Sequence, residues 1–517
     1  MTADLLLAID QGTSSTRAIA FDRGLRAVAS ASRPIRVHHP RPGWVEQDPD
    51  EILESVVECT AEVLAHCGGP QRIAGVGLDN QGETVIAWDE TTGAALAPAI
   101  VWQCRRSEPI VERLRAIGLE PEIRRLTGLP LDPYFSAGKM SWLLEEVPAV
   151  QAAASRETLR LGTVDAWLTW HLLGEALTDP STASRTQLLD IHSLTWNDRL
   201  LDTFKVPRRA LARIVASAGP AGNLHHARWG QAGLPLAALI CDQQAALIGH
   251  GCVQPGQMKA TYGTGVFVLA VAGSEPPVAG DHLLSTVAWQ LHDLPATYAL
   301  DGGVFTAGSL LDWLRDGLGL LADPSESEEL ARSVHDTAGV QVLPALAGIG
   351  APWWRPRARG VIAGLSGATT RAHVARAALD GIGHRVADIV EVMVAALDRP
   401  PLSLRVDGRL AGNGYLLQRQ ADLLGMPLEV ASSVEATALG GAGLAGMGVG
   451  WLEAGQIGAA NPPIRTVRPV MAGGDRRRER AAWRRFVEVA ADIPDAMTSA
   501  ADAAVLPRKE AESPVFS

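Results

Sequence analysis

The stretch LLLAIDQGTSSTRAIAFD, residues 5–22, decides how the chain is read. Five apolar residues, Leu5 to Ile9, run straight into Asp10, then a turn of Gly, Thr and Ser, and then a second apolar run. A core strand has no use for that aspartate, and a surface hairpin has no use for five consecutive apolar residues. Together they predict buried strands over 5–9 and 17–21 that carry the polar turn 11–15 to a particular place. Further strands are predicted at 73–79 and 84–88. A helix is predicted over 50–67, opened by Asp48 and Pro49. The alternation of strand and helix points to an α/β fold.

The pattern returns at 259–273, KATYGTGVFVLAVAG, where Gly263, Thr264 and Gly265 again interrupt two apolar runs. Strands and helices follow it as well, the helices over 307–321 and 370–396. A chain of 517 residues is too long for one core. Two similar domains are therefore expected, 1–250 and 251–497, facing each other across a cleft. The last segment, 498–517, has no periodic apolar face and is expected to be a mobile tail.

Composition is that of an ordinary globular protein, with 47% hydrophobic and 20% charged residues. The net charge of −11 and the lack of a basic patch through the body argue against nucleic acid as a partner. The one basic cluster, Arg476–Arg480 with Arg484 and Arg485, reads as a solvated helix face. The Gly- and Ala-rich run 436–452 reads as a buried helix, so no membrane insertion is expected. Five cysteines without a CxxC suit reduced thiols in a cytoplasm. Cys241, beside Asp242, reads as an inert core thiol. Composition leaves a homo-oligomer open.

Turns of Gly, Thr and Ser let backbone N–H groups approach an anion, and their hydroxyls add donors. Two such turns facing each other could hold the β- and γ-phosphates of ATP from both sides. Asp10, at the end of a buried strand, suits a Mg²⁺ ion held directly or through water. Arg17 could reach a phosphate. Either turn alone could equally be an ordinary hairpin; their pairing favours the nucleotide. The chain has no GxxxxGK[ST], and the GKM at 138–140 lacks both the upstream Gly and the hydroxyl. The GxGxxG at Gly441–Gly446 follows a helical pattern and reads as close helix packing.

Motifs along residues 5 to about 490 resemble those of the FGGY family of carbohydrate kinases, and within it the glycerol kinases. Among them are AIDQGTSSTRAIAFD, PGWVEQDP, NQGETVIAWDETTG, GTVDAWLTW, DQQAALIGHG, TYGTGVFVL, VDGRLAGNGYLLQRQADLLG and ATALGGAGLAG. The resemblance implies an α/β fold of two actin-like (ribonuclease H-like) domains flanking an ATP and substrate cleft. It implies that Thr13, Ser14, Ser15 and Arg17 meet the phosphates, with Asp10 near Mg²⁺. Thr264, Gly308 and Asn413 would bind the nucleotide from the second domain. Glu83, Trp102, Tyr134, Asp242 and Gln243 would line the polyol site, with Phe267 as an apolar wall. Asp242 would be the general base, and phosphoryl transfer to an alcohol does need a carboxylate to take the hydroxyl proton. By its flanks alone, Asp242 at a strand-to-helix junction could also be a helix N-cap.

Three positions depart from what the resemblance implies. Gly82 stands where the family has Arg in the substrate site, which is expected to remove charged donors and open space. Affinity for glycerol would then fall, or the pocket would take a longer polyol. Arg409 stands for a family Gly, and Asp312 for a family Gln, both beside the nucleotide. The implied activity is ATP-dependent phosphorylation of a small polyol, with glycerol as the default acceptor. A four- or five-carbon polyol or sugar, and a weakly catalytic sugar- or nucleotide-binding regulator, are the alternatives.

Overall fold

A computed structural model describes residues 3–278, 280–432 and 435–493, so the expected mobile tail lies outside the described residues. Two large sheets organise the chain. The first is built from Leu5–Gln11 (β1), Ser15–Phe21 (β2), Ala27–Pro34 (β3), Ile73–Asn80 (β4), Ala218–Leu224 (β5) and Leu234–Cys241 (β6), in the order β5-β6-β4-β1-β2-β3. The second is built from Met258–Tyr262 (β7), Val266–Gly273 (β8), Leu284–Gln290 (β9), Ala296–Val304 (β10), Leu404–Asp407 (β11), Leu428–Ala431 (β12) and Pro463–Val467 (β13). Its order is β9-β10-β8-β7-β11-β12-β13.

The two sheets repeat one plan. β1 pairs antiparallel with β2 and parallel with β4, which pairs parallel with β6. β7 pairs antiparallel with β8 and parallel with β11, which pairs parallel with β12. Each plan begins with a tight hairpin, and both hairpins are those read from the sequence. Their inner strands are buried on both faces: Leu5 to Ile9 are at most 3% exposed. That is why they read as continuous apolar runs.

Helices cover the sheets. Pro49–Cys67 (α1) begins at Asp48, whose carboxylate accepts from the Asp50 amide at 2.9 Å. It ends at Gly68, in the left-handed conformation with φ 85°. The short helix Pro180–Ala183 (α2) precedes Asp242–Gly249 (α3), which continues directly from β6. In the second half, Gly308–Asp316 (α4), Arg371–Ala396 (α5) and Gly414–Leu424 (α6) pack on β7–β13. Ala436–Gly448 (α7) follows.

Helix α7 lies against the first sheet and against α3 at backbone distance. A Cβ on Gly440 would stand 1.8 Å from the Ala245 carbonyl oxygen, and one on Gly77 would stand 2.1 Å from that of Gly441. The small residues of 440–446 therefore serve helix packing, as read from the sequence. The last described helix, Gly473–Ala490 (α8), carries the arginine cluster. Arg480 departs from the expected solvated face. It is 3% exposed and donates to Asp388 Oδ1 at 2.6 Å and Glu391 Oε1 at 2.8 Å. A helix of period 3.6 must turn some member of a run of five consecutive charged residues inward.

Candidate active site

The two hairpin turns face each other across a cavity of about 440 Å³. It is lined from the first half by Thr13, Ser14, Gly82, Glu83, Trp102, Tyr134, Asp242 and Gln243, and from the second by Thr264 and Phe267. Ten positions singled out in the sequence thus meet in one place.

Asp242 is the first residue of α3, and Cys241 takes the N-cap position. Asp242 Oδ1 accepts from the Gln243 amide at 2.7 Å. Burial pushes its carboxyl up to about 7, and the charges of Glu83 and Asp10 add to the effect. The group is therefore poised to take a proton near neutral pH.

Glu83 sits in the turn after β4 with φ 58°, a left-handed conformation that costs a non-glycine residue energy and is common at functional sites. Its backbone carbonyl accepts from Lys139 Nζ at 3.2 Å and from Ser136 Oγ at 3.3 Å, and these bonds hold the turn. Lys139, the lysine of the discounted GKM, also donates to the carbonyls of Tyr134 and Phe135. It is thus the scaffold of this wall of the cavity. Trp102 Nε1 donates to Thr13 Oγ1 at 2.9 Å, which joins the aromatic wall to the first turn. The Trp102 ring meets Tyr134 edge-on at 5.6 Å and Phe267 at 6.1 Å, so the wall is assembled from both halves. Burial, with Glu83 nearby, pushes the Tyr134 phenol well up and keeps it protonated.

Gly82 lines the cavity, but the space next to its Cα is less open than expected. A Cβ there would stand 2.9 Å from Cys241 Sγ, so the thiol crowds that side. A guanidinium does enter the cavity from another part of the chain. Arg185 reaches the site from just beyond α2, with Nε donating to Glu83 Oε1 at 2.6 Å. Cys241 is inert in the acid–base sense, because burial and Asp242 hold the thiol well above its usual range.

Asp10 lies at the end of β1, in register with Asp79 on β4. Both side-chain oxygens of Asp79 are buried, and the Asp10 carboxyl lies within hydrogen-bonding reach of it. Burial and the Asp10 charge hold Asp79 well above the carboxylate range. Two carboxyl groups side by side at the ends of buried strands fit a hard cation. No three His, Cys, Asp or Glu side chains form a metal cluster among the described residues. Among hard cations, magnesium binds one or two carboxylates and takes its other ligands from water and phosphate.

The remaining nucleotide positions lie apart from the cavity. Gly308, Arg409 and Asn413 line a second pocket between α4 and α6. Gly308 is where that helix meets the second turn: its amide donates to Gly263 O at 3.1 Å. A Cβ on Gly308 would stand 2.6 Å from the same oxygen. Asn413 caps α6, its oxygen accepting from the Leu416 amide at 2.9 Å. Asp312 and Arg409, the two departures, pair with each other at 3.6 Å. Ser15 begins β2, and its carbonyl accepts from the Gly12 amide at 3.0 Å, which shapes the first turn. Arg17 is held by Glu435 and does not line the cavity.

Sequence reading missed Arg185, Asp301, Lys259 and Asp79. Only Asp79 left a signal there, since it ends a buried strand just as Asp10 does.

Comparison with known proteins bears on this geometry. Residues 5–249 match the profile described as the FGGY family of carbohydrate kinases, N-terminal domain, and 258–449 match that of the C-terminal domain. A glycerol kinase of Citrifermentans bemidjiense is 46% identical over 489 residues, covering 94% of this chain and 98% of its own length. Glycerol kinase 2 of Thermotoga maritima is 42% identical, covering 93% of this chain and 98% of its own. The crystal structure of Plasmodium falciparum glycerol kinase with ADP superposes with a TM-score of 0.88 at 31% identity, covering 95% of this chain and 98% of that one. A xylulose kinase of Lactobacillus acidophilus shares the fold, with a TM-score of 0.84 at 21% identity and coverage of 96% and 98%.

Proposed function

The chain belongs to the FGGY family of carbohydrate kinases, and on that premise we propose that it transfers the γ-phosphoryl group of ATP to glycerol, giving glycerol 3-phosphate. The observation that carries this reading is the position of Asp242: a carboxylate raised to about 7, in one cavity with both phosphate-binding turns and the Glu83–Trp102–Tyr134 wall. Similarity to glycerol kinases over nearly the whole chain supports the acceptor.

In this reading Glu83 and Gln243 orient the polyol hydroxyls, and the aromatic rings enclose its carbon chain. Asp242 takes the proton of the attacking hydroxyl. Thr13, Ser14 and Thr264 donate to the phosphoryl oxygens from either side. Asp10, with Asp79 behind it, would hold a magnesium ion, whose chemistry when bound is to neutralise charge on the phosphates. Meeting of the two turns excludes water, which would otherwise accept the phosphoryl group. Ser15 and Arg17 act around the first turn. Gly308, Arg409 and Asn413 form the nucleotide's outer pocket, with Asp312 paired to Arg409 beside it.

Gly82 gives no reason to favour a longer acceptor, because Cys241 crowds the space beside it. A coupled ADP-release assay with glycerol, erythritol, ribitol and xylitol tests the proposal. Glycerol should give the highest kcat/KM. A four- or five-carbon polyol turned over faster would move the assignment to that acceptor.

A further inference from the structure

Two buried cations cross the seam between the halves, and each ends on a side chain of the polyol site. Arg185, from the first half, donates to Glu83 Oε1 at 2.6 Å while its Nη1 lies 2.9 Å from Asp301 Oδ2 on β10 of the second half. All three side chains are at most 9% exposed. The Nη1 contact is off the line of the N–H bonds, so Asp301 holds the guanidinium by charge and not by a hydrogen bond. Lys259, on β7 of the second half, is fully buried. It donates to Gln243 Oε1 of the first half at 2.6 Å and to Thr261 Oγ1 at 3.1 Å.

Arginine and lysine only donate, so each fixes which atom its partner turns toward it. Arg185 takes one oxygen of Glu83 and leaves Oε2 as an acceptor for the ligand. Lys259 must face the oxygen of the Gln243 amide, so the Nε2 donor is turned the other way. The donor and acceptor pattern met by a polyol hydroxyl is thus set by contacts between the halves. A rotation of one half over the other would change the charge distance at Arg185 and the hydrogen bond at Gln243 together.

We propose that Arg185 and Lys259 are positioning residues that make the polyol site complete only when the two halves are docked, and so couple acceptor binding to nucleotide binding. The inference rests on the reading of this cavity as the polyol site. Coupling follows because a ligand that binds only the docked arrangement favours it for the other ligand, by the same factor in both directions.

The test is the dissociation constant of ADP measured by calorimetry with and without saturating glycerol, using the full chain with magnesium. In wild type, glycerol should tighten ADP binding at least about fivefold. Asp301→Asn and Lys259→Met keep the volume of each side chain and do not line the nucleotide pocket; because the Lys259 charge also acts on Asp242, the readout is ADP binding and not turnover. Each should cut that factor to less than about twofold, and Asp301→Glu should recover it. A merely structural role would lower stability and leave the ratio alone. The inference is overturned if wild type shows no coupling, or if both variants keep the wild-type ratio. Turnover of glycerol in the ADP-release assay decides the acceptor separately.

Discussion

Replacing Asp242 by Asn should make the enzyme slower and more stable at once, and only above a certain pH. Folded Asp242 holds its proton up to about 7, against 3.8 for the free side chain. At roughly 1.36 kcal/mol per pH unit of displacement, its ionised form opposes folding by about 4 kcal/mol. The sign follows from proton counts. Between these two values the folded state binds more protons than the unfolded state, so stability falls as pH rises through the window. Below about pH 4 the aspartic acid and the asparagine are both neutral, and wild type and variant should melt together. Above pH 7 the variant escapes the penalty and should melt several degrees higher. Water in the open cleft makes 4 kcal/mol the upper figure. The same variant should lose about 10²–10⁴ in kcat with glycerol, since no group takes the hydroxyl proton. The assays are thermal melts of the nucleotide-free protein at pH 4, 6 and 8 and coupled ADP release at pH 8. Equal melting at every pH, or near-normal turnover, would refute the argument that a desolvated Asp242 is the base.

Three further outcomes are expected. The low-pH limb of wild-type kcat/KM should fall tenfold per unit below about pH 7, because only ionised Asp242 is active; a limb breaking near pH 4 would point to another group. Gly82→Arg should lower kcat/KM for glycerol by at least about tenfold, since its Cβ meets Cys241 Sγ; adding Cys241→Gly should recover part of it, and a gain from the single variant would mean the space is open after all. Gly440→Ala should destabilise by about 3 kcal/mol or more through its clash with the Ala245 carbonyl, and denaturant melts showing no loss would contradict the close approach of α7 to α3.

Much of the fold was legible in residues 5–22 and 259–273. Both stretches place a turn of Gly and hydroxyl residues between strands buried on both faces, and burial of that kind writes itself as an unbroken apolar run. Asp10 and Asp242 stood out for the converse reason: a carboxylate ending such a run must either find a partner or do chemistry. The sequence alone therefore pointed to the doubled sheet plan and the facing turns, and the family resemblance added Asp242 as the proposed base. The sequence could not show what crowds the space beside Gly82, because Cys241 lies far along the chain and reaches it only through the pairing of β6 with β4. Arg185 and Asp301 are likewise distant in sequence from Glu83, and neither of them alone differs from an ordinary surface charge. Only the tertiary structure brought them together out of water. There a charge must be paired, and its partners decide its function.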